Sequence, residues 1–232
     1  MEGTVVSDRG RSTQEAALSV TVDFIFDFGS PNAYLAHRVL PAIVQRTGAV
    51  FRYVPCLLGG IFKATGNQPP MVAFGGVKGK LDYDMLETRR FIARHRLTEF
   101  RFNPHFPVNT LMLMRGAVAA EIDGRLVEYV EAGLQCMWEQ GLKMDDPAVY
   151  VEAMTKAGFD GAALLERTQD PAVKATLAEN TAAAVERGAF GIPTFYVGDE
   201  MFFGKDRLGQ VEEEIVAASA RDTSGEEPTP RP

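Results

Sequence analysis

Cysteine is scarce in this sequence. The 232 residues include only Cys56 and Cys136, which lie far apart and fit neither a disulfide framework nor the paired cysteines of a zinc site. The histidines His37, His95 and His105 share no metal-binding spacing with each other or with cysteine. We therefore expect no metal centre, and we expect Cys56 to fill a buried apolar role.

Long apolar runs and excess positive charge are also missing. No run approaches the roughly 20 apolar residues that cross a bilayer, and residues 1–18 lack the apolar stretch of a signal peptide. A cytoplasmic protein without a membrane partner is expected. The formal charge of -7 and the pI near 5.1 argue against nucleic-acid binding, which needs a basic surface. They do not exclude a small anionic ligand, because one arginine or one helix N-terminus can bind it.

The composition that is present, 46% hydrophobic and 24% charged, is typical of a soluble globular protein. Residues 20–27 alternate aromatic and β-branched residues, which predicts a strand. Pro31 suits the first turn of a helix, and apolar residues recur at helical spacing until Gly48, which predicts one helix. Residues 49–54 form a second strand that ends at Pro55. This order is a β-α-β unit whose connection is long enough for parallel pairing.

Strand patterning then disappears from residue 57 to about residue 188. The expected helices in that part cover residues 79–97, 109–122, 125–140, 147–157, 161–168 and 171–187. Strand patterning returns at residues 194–197 and 200–203, joined by a Gly-Asp turn, and a helix begins at Asp206. The last ordered part of the chain is therefore β-β-α.

The two units need each other to complete one sheet. We predict the α/β class, with a thioredoxin-like domain (βαβ…ββα) built from residues 19–56 and 189–219 and a large all-helical insertion at residues 57–188. The polar ends, residues 1–18 and 220–232, are expected to be disordered tails.

Ser30 lies at the turn between the first strand and the first helix. A thioredoxin-like redox protein carries Cys-x-x-Cys at such a turn, because the helix N-terminus lowers the pKa of the first thiol. Both cysteines are missing here, so a reactive thiol has to come from another molecule, and glutathione is the obvious supplier. The alternative is that Ser30 only caps the helix, a role that serine fills without any chemistry.

Ile192 and Pro193 come directly before the third strand. An X-Pro bond in a tight turn can be cis, and the N–H and C=O of Ile192 would then be free to pair with an extended peptide such as glutathione. The alternative is an ordinary proline at the entry to a strand.

Five stretches together resemble a known family. They are residues 26–35, 62–67, 106–109, 190–195 and 198–208. In combination they are similar to the 2-hydroxychromene-2-carboxylate isomerases and, more distantly, to kappa-class glutathione transferases and DsbA-type oxidoreductases. The resemblance covers nearly the whole ordered part of the chain.

The resemblance implies a glutathione-dependent cis-trans isomerisation in aromatic compound catabolism, between 2-hydroxychromene-2-carboxylate and trans-o-hydroxybenzylidenepyruvate. Ser30 falls on the family's catalytic serine, whose hydroxyl would donate a hydrogen bond to the glutathione sulfur and favour the thiolate. The thiolate would add to the conjugated substrate, allow rotation about the new single bond, and leave again. Relatives are commonly dimers, so a homodimer is expected.

The same resemblance implies which residues bind glutathione. They are Ser30, Lys63, Asn67, Gln68, Ile192, Pro193, Lys205 and Asp206. Asp206 would bind the γ-glutamyl ammonium, although a carboxylate at the start of the last helix is also a plain N-cap. Kappa-class members tend to have serine in place of Lys205 and lysine in place of Gln68, so this chain departs from the kappa-class pattern at those two contacts. Lys63, Asn67 and Gln68 are equally consistent with a solvated loop.

A small aromatic carboxylate is the expected substrate. The residues expected to face it are Pro31, Tyr34, Arg90 and Asn109. Asn109 is equally suited to capping the helix that follows. Arg90 belongs to a basic helix face with Arg89 and Arg94, which is usually solvated; the alternative is that one arginine reaches the cleft and pairs with the substrate carboxylate. Trp138 is expected to lie on a helix and to point into the protein core rather than against the substrate.

Two other functions remain open. A kappa-like transferase or reductase would consume glutathione rather than return it. A non-catalytic glutathione- or peptide-binding protein would use Ser30 only as a cap. All three share one fold, so the fold does not choose between them.

Overall fold

The structure is a computed structural model that describes residues 19–224, with side chains described as far as residue 221. The predicted tail at residues 1–18 and the last part of the tail predicted at 220–232 lie outside the described residues. The beginning of that second tail was predicted wrongly, because the last helix continues to Ser224.

Four strands form one mixed sheet. They are β1 Thr21–Phe26, β2 Val50–Pro55, β3 Thr194–Val197 and β4 Glu200–Phe203. The order across the sheet is β2-β1-β3-β4, with β1 and β2 parallel and both other pairs antiparallel. Because β1 pairs with β2 on one side and with β3 on the other, the sheet needs both ends of the chain. The predicted thioredoxin-like arrangement is confirmed.

Eleven helices are described within residues 19–224. They are α1 Pro31–His37, α2 Leu40–Thr47, α3 Leu58–Thr65, α4 Pro70–Ala73, α5 Lys80–His95, α6 Leu111–Ile122, α7 Leu126–Trp138, α8 Pro147–Lys156, α9 Gly161–Arg167, α10 Pro171–Glu186 and α11 Leu208–Ser224. A 3-10 turn, Lys205–Arg207, precedes α11. The six helices predicted between residues 79 and 187 are all present, and the helical insertion is confirmed. The division into two separate domains stays a prediction.

The single helix predicted from Pro31 to Gly48 is wrong. The chain forms α1 and α2 with a break at Arg38 and Val39. Pro41 is the physical reason, because it has no N–H to donate to the carbonyl four residues earlier. The break moves Pro41 into the first turn of α2, where a helix does not need that N–H.

Helix α3 was not predicted, because Gly59 and Gly60 weaken its helical pattern. Its stability comes from contacts with α10. A β-carbon on Gly60 would lie 3.0 Å from the Thr181 side chain, so the two helices pack too closely for a larger residue. The Thr181 hydroxyl oxygen accepts a hydrogen bond from the N–H of Leu57 at 3.0 Å. Lys63 therefore lies in a helix and not in the predicted loop.

The core runs from the sheet into the helical insertion. The Phe24 and Phe195 rings stack at 4.9 Å between centroids, and the Phe26 and Phe28 rings meet edge to face at 5.4 Å. Trp138 is fully buried and its indole N–H donates to the carbonyl of Phe28 at 2.8 Å, so the expected core position of this tryptophan is confirmed.

The described residues contain neither a membrane-crossing helix nor a metal-binding cluster. None of their helices is both long and apolar enough to cross a membrane. No group of three or more histidine, cysteine, aspartate or glutamate side chains in residues 19–221 could hold a metal ion.

Candidate active site

Ser30 begins α1 at the end of the sheet where β1 ends. Its side chain is buried, and its hydroxyl makes two hydrogen bonds. It accepts from the N–H of Ala33 at 3.2 Å, which makes Ser30 the N-cap of α1, and it donates to the carbonyl oxygen of Ile192 at 3.1 Å. Ser30 is therefore a cap in this structure. Its catalytic role stays a prediction, and it would require the hydroxyl proton to turn from Ile192 to a sulfur.

The N-terminus of α1 offers fewer free donors than the sequence suggested. Pro31 has no N–H, and the N–H groups of Ala33 and Tyr34 already point to Ser30 oxygens. Only the N–H of Asn32 is left in the first turn, and α1 is two turns long. The donors that the start of α1 can offer to a ligand are therefore the Ser30 hydroxyl and the N–H of Asn32.

The loop at residues 190–193 faces Ser30. The Ile192-Pro193 peptide bond is cis. The carbonyl of Ile192 was expected to be free, but it accepts the hydrogen bond from Ser30; a carbonyl oxygen has a second lone pair and can accept once more. Within residues 19–224 no backbone group accepts a hydrogen bond from the N–H of Ile192. The loop can therefore offer an extended peptide the N–H of Ile192 as a donor and the remaining lone pair of its carbonyl oxygen as an acceptor.

Lys205 and Asp206 follow β4 and lie beside the same loop. The N–H of Gly204 donates to the carbonyl of Pro193 at 2.8 Å, which ties the 3-10 turn to the loop. The Lys205 side chain is 5% exposed, and its ammonium lies 2.9 and 3.0 Å from the two carboxylate oxygens of Asp206 and 5.1 Å from the centroid of the Phe91 ring. The carboxylate of Asp206 faces Lys205 rather than helix N–H groups, so the N-cap alternative for Asp206 is not observed.

Asn67 and Gln68 approach the loop from the other side. The side-chain amide of Asn67 donates to the carbonyl of Phe190 at 2.7 Å, and its oxygen accepts from the N–H of Gln68 at 2.8 Å. Lys63 is exposed on α3, one turn or more before them. Asn67 is therefore fixed to the 190–193 loop, whereas Lys63 and Gln68 are solvated side chains.

These contacts join three of the predicted segments into one row. Asn67 contacts the loop at Phe190, Ser30 contacts it at Ile192, and Gly204 contacts it at Pro193 and brings the carboxylate of Asp206. In chain order along the loop, the contacts come from an amide (Asn67), a hydroxyl (Ser30) and a backbone N–H (Gly204), and the exposed carboxylate of Asp206 lies two residues after Gly204. An extended peptide with a thiol in the middle and an ammonium at one end matches this order of groups.

The residues predicted to face the substrate are less uniform. Pro31 is half-buried at the start of α1. Tyr34 is 1% exposed, and its hydroxyl donates to a carboxylate oxygen of Glu139 at 3.0 Å. Burial raises the pKa of Tyr34 to about 12, with smaller effects from Arg38 and Glu139. The position of Tyr34 inside the protein argues for a structural role.

Asn109 and Arg90 are both exposed. The side-chain oxygen of Asn109 accepts from the N–H of Leu111, the first residue of α6, at 3.1 Å, which is the capping type of contact. The Arg90 guanidinium pairs with Glu87 on its own helix. This contact fits the alternative that Arg90 belongs to a solvated basic face. Substrate contacts of Asn109 and Arg90 stay predictions.

Neither cysteine replaces the missing thiol. Cys56 is fully buried, its thiol donates to the carbonyl of Asn180 at 3.4 Å, and burial raises the pKa of this thiol to about 12. Burial also raises the pKa of Cys136 to about 11. The expected buried role of Cys56 is confirmed, and neither residue supplies a thiolate near neutral pH.

Asp27 and Thr110 were not among the predicted site residues. Both side chains are buried next to the Ser30 turn, where the hydroxyl of Thr110 donates to the carboxylate of Asp27 at 2.6 Å. The available signal was an aspartate that ends an apolar strand, because a charged residue in that position is seldom buried without a purpose.

Comparison with known proteins shows the family. A sequence profile of the DsbA-like thioredoxin domain matches residues 21–216. A 2-hydroxychromene-2-carboxylate isomerase of Pseudomonas putida is 31% identical over 193 residues, which are 82% of this chain and 92% of the relative. A kappa 1 glutathione S-transferase of Rattus norvegicus is 29% identical over 197 residues, 81% of this chain and 87% of the relative.

A solved structure agrees with these matches. The structure of a 2-hydroxychromene-2-carboxylate isomerase superposes with a TM-score of 0.76 at 28% identity and covers 89% of this chain and all of that chain. The two comparisons agree with the resemblance read from residues 26–35 and 190–208. The chain therefore belongs to the DsbA-like thioredoxin family and, within it, to the relatives of the 2-hydroxychromene-2-carboxylate isomerases.

Proposed function

We propose that this protein is a glutathione-dependent cis-trans isomerase that interconverts 2-hydroxychromene-2-carboxylate and trans-o-hydroxybenzylidenepyruvate in aromatic compound catabolism. The observation that carries the proposal is the row of Asn67, Ser30 and Asp206 along the 190–193 loop, in a chain whose relatives carry the isomerase name over most of its length.

Glutathione fits the row because it is an extended tripeptide with a central thiol and a free ammonium at its γ-glutamyl end. When bound, it supplies a thiol nucleophile that adds reversibly to a conjugated double bond. The N–H of Ile192 and the second lone pair of its carbonyl would hold the peptide backbone in the strand-addition mode. Asp206 would accept from the ammonium, and Asn67 would lie near the other end.

Ser30 would act as a hydrogen-bond donor and not as a nucleophile. Its hydroxyl would leave the carbonyl of Ile192 and donate to the ligand sulfur, which favours the ionised thiol. A free thiol with a pKa near 8.5 is only a few per cent ionised at pH 7, so lowering the pKa by one unit increases the thiolate about ten-fold.

Lys205 modifies the proposed ammonium site. Its own ammonium contacts both carboxylate oxygens of Asp206, so a ligand ammonium would share that carboxylate with an internal cation. Since Asp206 is 59% exposed and Lys205 is 5% exposed, the ligand would approach from the solvent side of Asp206 while Lys205 holds the carboxylate from behind.

The decisive experiment is turnover with little glutathione. The purified protein is incubated with 2-hydroxychromene-2-carboxylate and a small fraction of an equivalent of glutathione, and both the absorbance of the substrate and the remaining free thiol are followed. Conversion to the equilibrium mixture, far beyond the amount of glutathione added and with the thiol returned, supports the isomerase. No conversion at millimolar glutathione contradicts it.

A kappa-like transferase is the second candidate, because kappa-class transferases match at up to 29% identity. The same experiment separates the two, since a transferase or a reductase stops when its equivalent of thiol has been consumed. Conversion that scales with added glutathione supports this second candidate.

The third alternative, a non-catalytic binding protein with Ser30 as a cap, is tested by two substitutions. Glycine is nearly as good an N-cap as serine, whereas alanine costs about 1 kcal/mol. Ser30→Gly therefore removes the hydroxyl and keeps most of the cap, and Ser30→Ala removes both. If the hydroxyl serves the ligand thiol, both variants lose turnover and raise the pKa of the bound thiol. Both also lose the hydrogen bond to Ile192, but Ser30→Ala loses more thermal stability than Ser30→Gly because it loses the cap as well. A loss of stability at unchanged rate supports the cap alone.

The ammonium site is tested by Asp206→Asn. This variant should bind glutathione more weakly in calorimetry but should bind a des-amino analogue of glutathione as the unchanged protein does. Equal weakening for both ligands contradicts the proposed contact, because Asp206 would then act only on the fold of the turn.

We also propose that the protein is a homodimer and that it acts in the cytoplasm on a small aromatic carboxylate. Light scattering of the purified chain should give twice the mass of 25.4 kDa, and fractionation of the source cells should recover the protein with the cytoplasmic fraction. A monomer mass or a periplasmic location would contradict the respective part of the proposal.

A further inference from the structure

Asp27 is the most completely buried charged residue beside the candidate site. It follows the last residue of β1, its exposure is 0%, and no basic side chain within residues 19–221 pairs with it in an ion pair. Neutral donors satisfy its carboxylate instead. One oxygen accepts from the N–H of Gly29 at 2.8 Å and from the hydroxyl of Thr110 at 2.6 Å, and the other accepts from the N–H of Leu58 at 2.8 Å.

The three donors come from three separate segments of the site. Gly29 directly precedes Ser30, and the N–H of Ser30 also donates to the backbone carbonyl of Asp27 at 3.1 Å. Leu58 is the first residue of α3, which leads to Asn67. Thr110 is the residue before α6, and its hydroxyl makes no cap bond to that helix. One carboxylate therefore connects the serine turn with both flanking segments.

The backbone of Gly29 lies close to the side chains of Asp27 and Thr110. A β-carbon at this residue would lie 3.3 Å from the Asp27 carboxylate oxygen and 3.3 Å from the Thr110 methyl group. Such distances require a neighbour to move, so glycine allows the turn to lie against the carboxylate. The hydrogen bond between Gly29 and the Asp27 carboxylate therefore depends on the small size of glycine.

We propose that Asp27 is a positioning residue that fixes the Ser30 turn relative to the start of α3 and the start of α6. This inference rests on the proposed function, because it assigns to Asp27 the alignment of the serine hydroxyl with the residues that flank the ligand. Asp27 does not touch the ligand; it acts through Gly29, Leu58 and Thr110.

Asp23, inside β1, supplies a matched control. It is 6% exposed and lies four residues before Asp27, which directly follows that strand. Its partners are the guanidinium groups of Arg52 and Arg187, both at 2.7 Å, and none of the candidate site residues. Asp23→Asn therefore perturbs β1 without touching the three segments.

Asparagine is a sharp substitution at residue 27. The N–H groups of Gly29 and Leu58 bond to different carboxylate oxygens. Whichever way the amide of an asparagine turns, its NH₂ group faces one of these two N–H groups, and that contact becomes donor against donor. Asp27→Asn thus breaks one connection while it keeps the shape of the side chain.

Thr110→Val and Thr110→Ser give a milder pair. Valine keeps the shape of threonine and removes the hydroxyl, and serine keeps the hydroxyl. Since Thr110 does not cap α6 with its side chain, the valine variant removes the bond to Asp27 without removing a cap. This pair keeps the inference testable if Asp27→Asn does not fold.

The experiment measures two things on each folded variant. The first is kcat/KM for isomerisation, with the pH profile that reports the bound thiol. The second is amide hydrogen exchange at Gly29 and Leu58. A small misplacement of reacting groups costs on the order of ten- to a hundredfold in rate, so Asp27→Asn should lose that much and shift the pH profile, and Thr110→Val should change in the same direction by less. Thr110→Ser should restore the unchanged values.

Asp23→Asn should keep kcat/KM within about twofold, because separated sites act independently, and should leave exchange at Gly29 and Leu58 protected. The inference is overturned if Asp27→Asn and Thr110→Val keep the unchanged kcat/KM and pH profile, or if exchange at Leu58 does not respond to either. If the unsubstituted protein has no turnover, the proposed function fails, and the exchange data alone still decide whether Asp27 connects the three segments.

Discussion

Asp23 in β1 and Asp27 directly after this strand differ in what surrounds them. Asp23 meets two arginines whose side chains are 65% and 40% exposed, whereas Asp27 meets two backbone N–H groups and one hydroxyl inside the protein. Burial raises the pKa of Asp23, but hydrogen bonds and charge from Arg52 and Arg187 outweigh it, so the pKa ends below its usual value. At Asp27 burial prevails over the three hydrogen bonds, and the pKa is raised.

This difference teaches how the two ends of the sheet are held. At the Asp23 end, partly exposed ion pairs connect β1 with Arg52 of β2 and with Arg187, the residue after α10. At the Asp27 end, a cation beside the carboxylate would lie close to Ser30 and would change the charge at the candidate site. Neutral donors hold the turn without adding that charge.

The largest expected effect comes from removing the acid at the site end. Asp27→Ala leaves the N–H groups of Gly29 and Leu58 and the hydroxyl of Thr110 without their partner. At roughly 1–3 kcal/mol for each buried unsatisfied group, the free energy of unfolding should fall by about 3 kcal/mol or more. Urea unfolding followed by the fluorescence of the single tryptophan, Trp138, measures it. A loss below that of Asp23→Ala would reverse the comparison.

A smaller loss is expected at the other end. Asp23→Asn weakens its hydrogen bonds to Arg52 and Arg187, and because both arginines are partly exposed, the loss should be about 1 kcal/mol. About 1 M salt should reduce this difference, since it shortens the screening length to about 3 Å. The loss in Asp27→Asn should not change with salt. Equal salt dependence in both variants would contradict the distinction between charged and neutral partners.

The two acids should respond to pH with opposite sign. The pKa of Asp23 is lowered in the folded protein, so its contribution is present above its unfolded value of 3.8 and is lost as the pH falls through the lowered value. The pKa of Asp27 is raised, so its contribution is present below 3.8 and is lost as the pH rises through the raised value. Unfolding of both asparagine variants between about pH 3 and pH 7 should therefore show a gap to the unsubstituted protein that widens toward neutral pH for residue 23 and narrows for residue 27.

The smallest effect is expected at Arg90, whose pairing with Glu87 is exposed. Arg90→Ala should change the free energy of unfolding by less than about 0.5 kcal/mol, which calibrates what a solvated ion pair contributes in this protein. Arg89→Ala, at the neighbouring exposed position of the same helix, is the control. An increase in KM for the aromatic acid in Arg90→Ala, but not in Arg89→Ala, would support the predicted contact with the substrate carboxylate.

Much of the architecture could be read from local patterns. Alternation over residues 20–27 and helical spacing between residues 79 and 187 predicted β1 and six of the helices, because these patterns depend on which face of an element is buried. The break between α1 and α2 was missed although its cause, Pro41, is local. The missing α3 is different, because a distant contact overrides the local pattern. Gly59 and Gly60 obscure the helical pattern of α3, and contacts with Thr181 in α10 stabilise this helix.

The site was predicted unevenly for the same reason. The position of Ser30 at the strand-to-helix turn and the nearby Ile192-Pro193 loop followed from motifs. The substrate contact of Tyr34 stays a prediction, and its burial against Glu139 could not be foreseen because Glu139 lies 105 positions away, just after α7. The sequence carried no sign of that contact.

The sequence by itself determined that this chain has a strand-to-helix turn without a cysteine and the β-α-β and β-β-α units around a helical insertion, since these depend on neighbouring residues. Only the tertiary structure decided that the Ser30 hydroxyl donates to Ile192 and that Asp27 is buried among neutral donors. Leu58 and Thr110 lie 31 and 83 positions from Asp27. The chain must fold before these groups meet, so their hydrogen bonds leave no local pattern in the sequence.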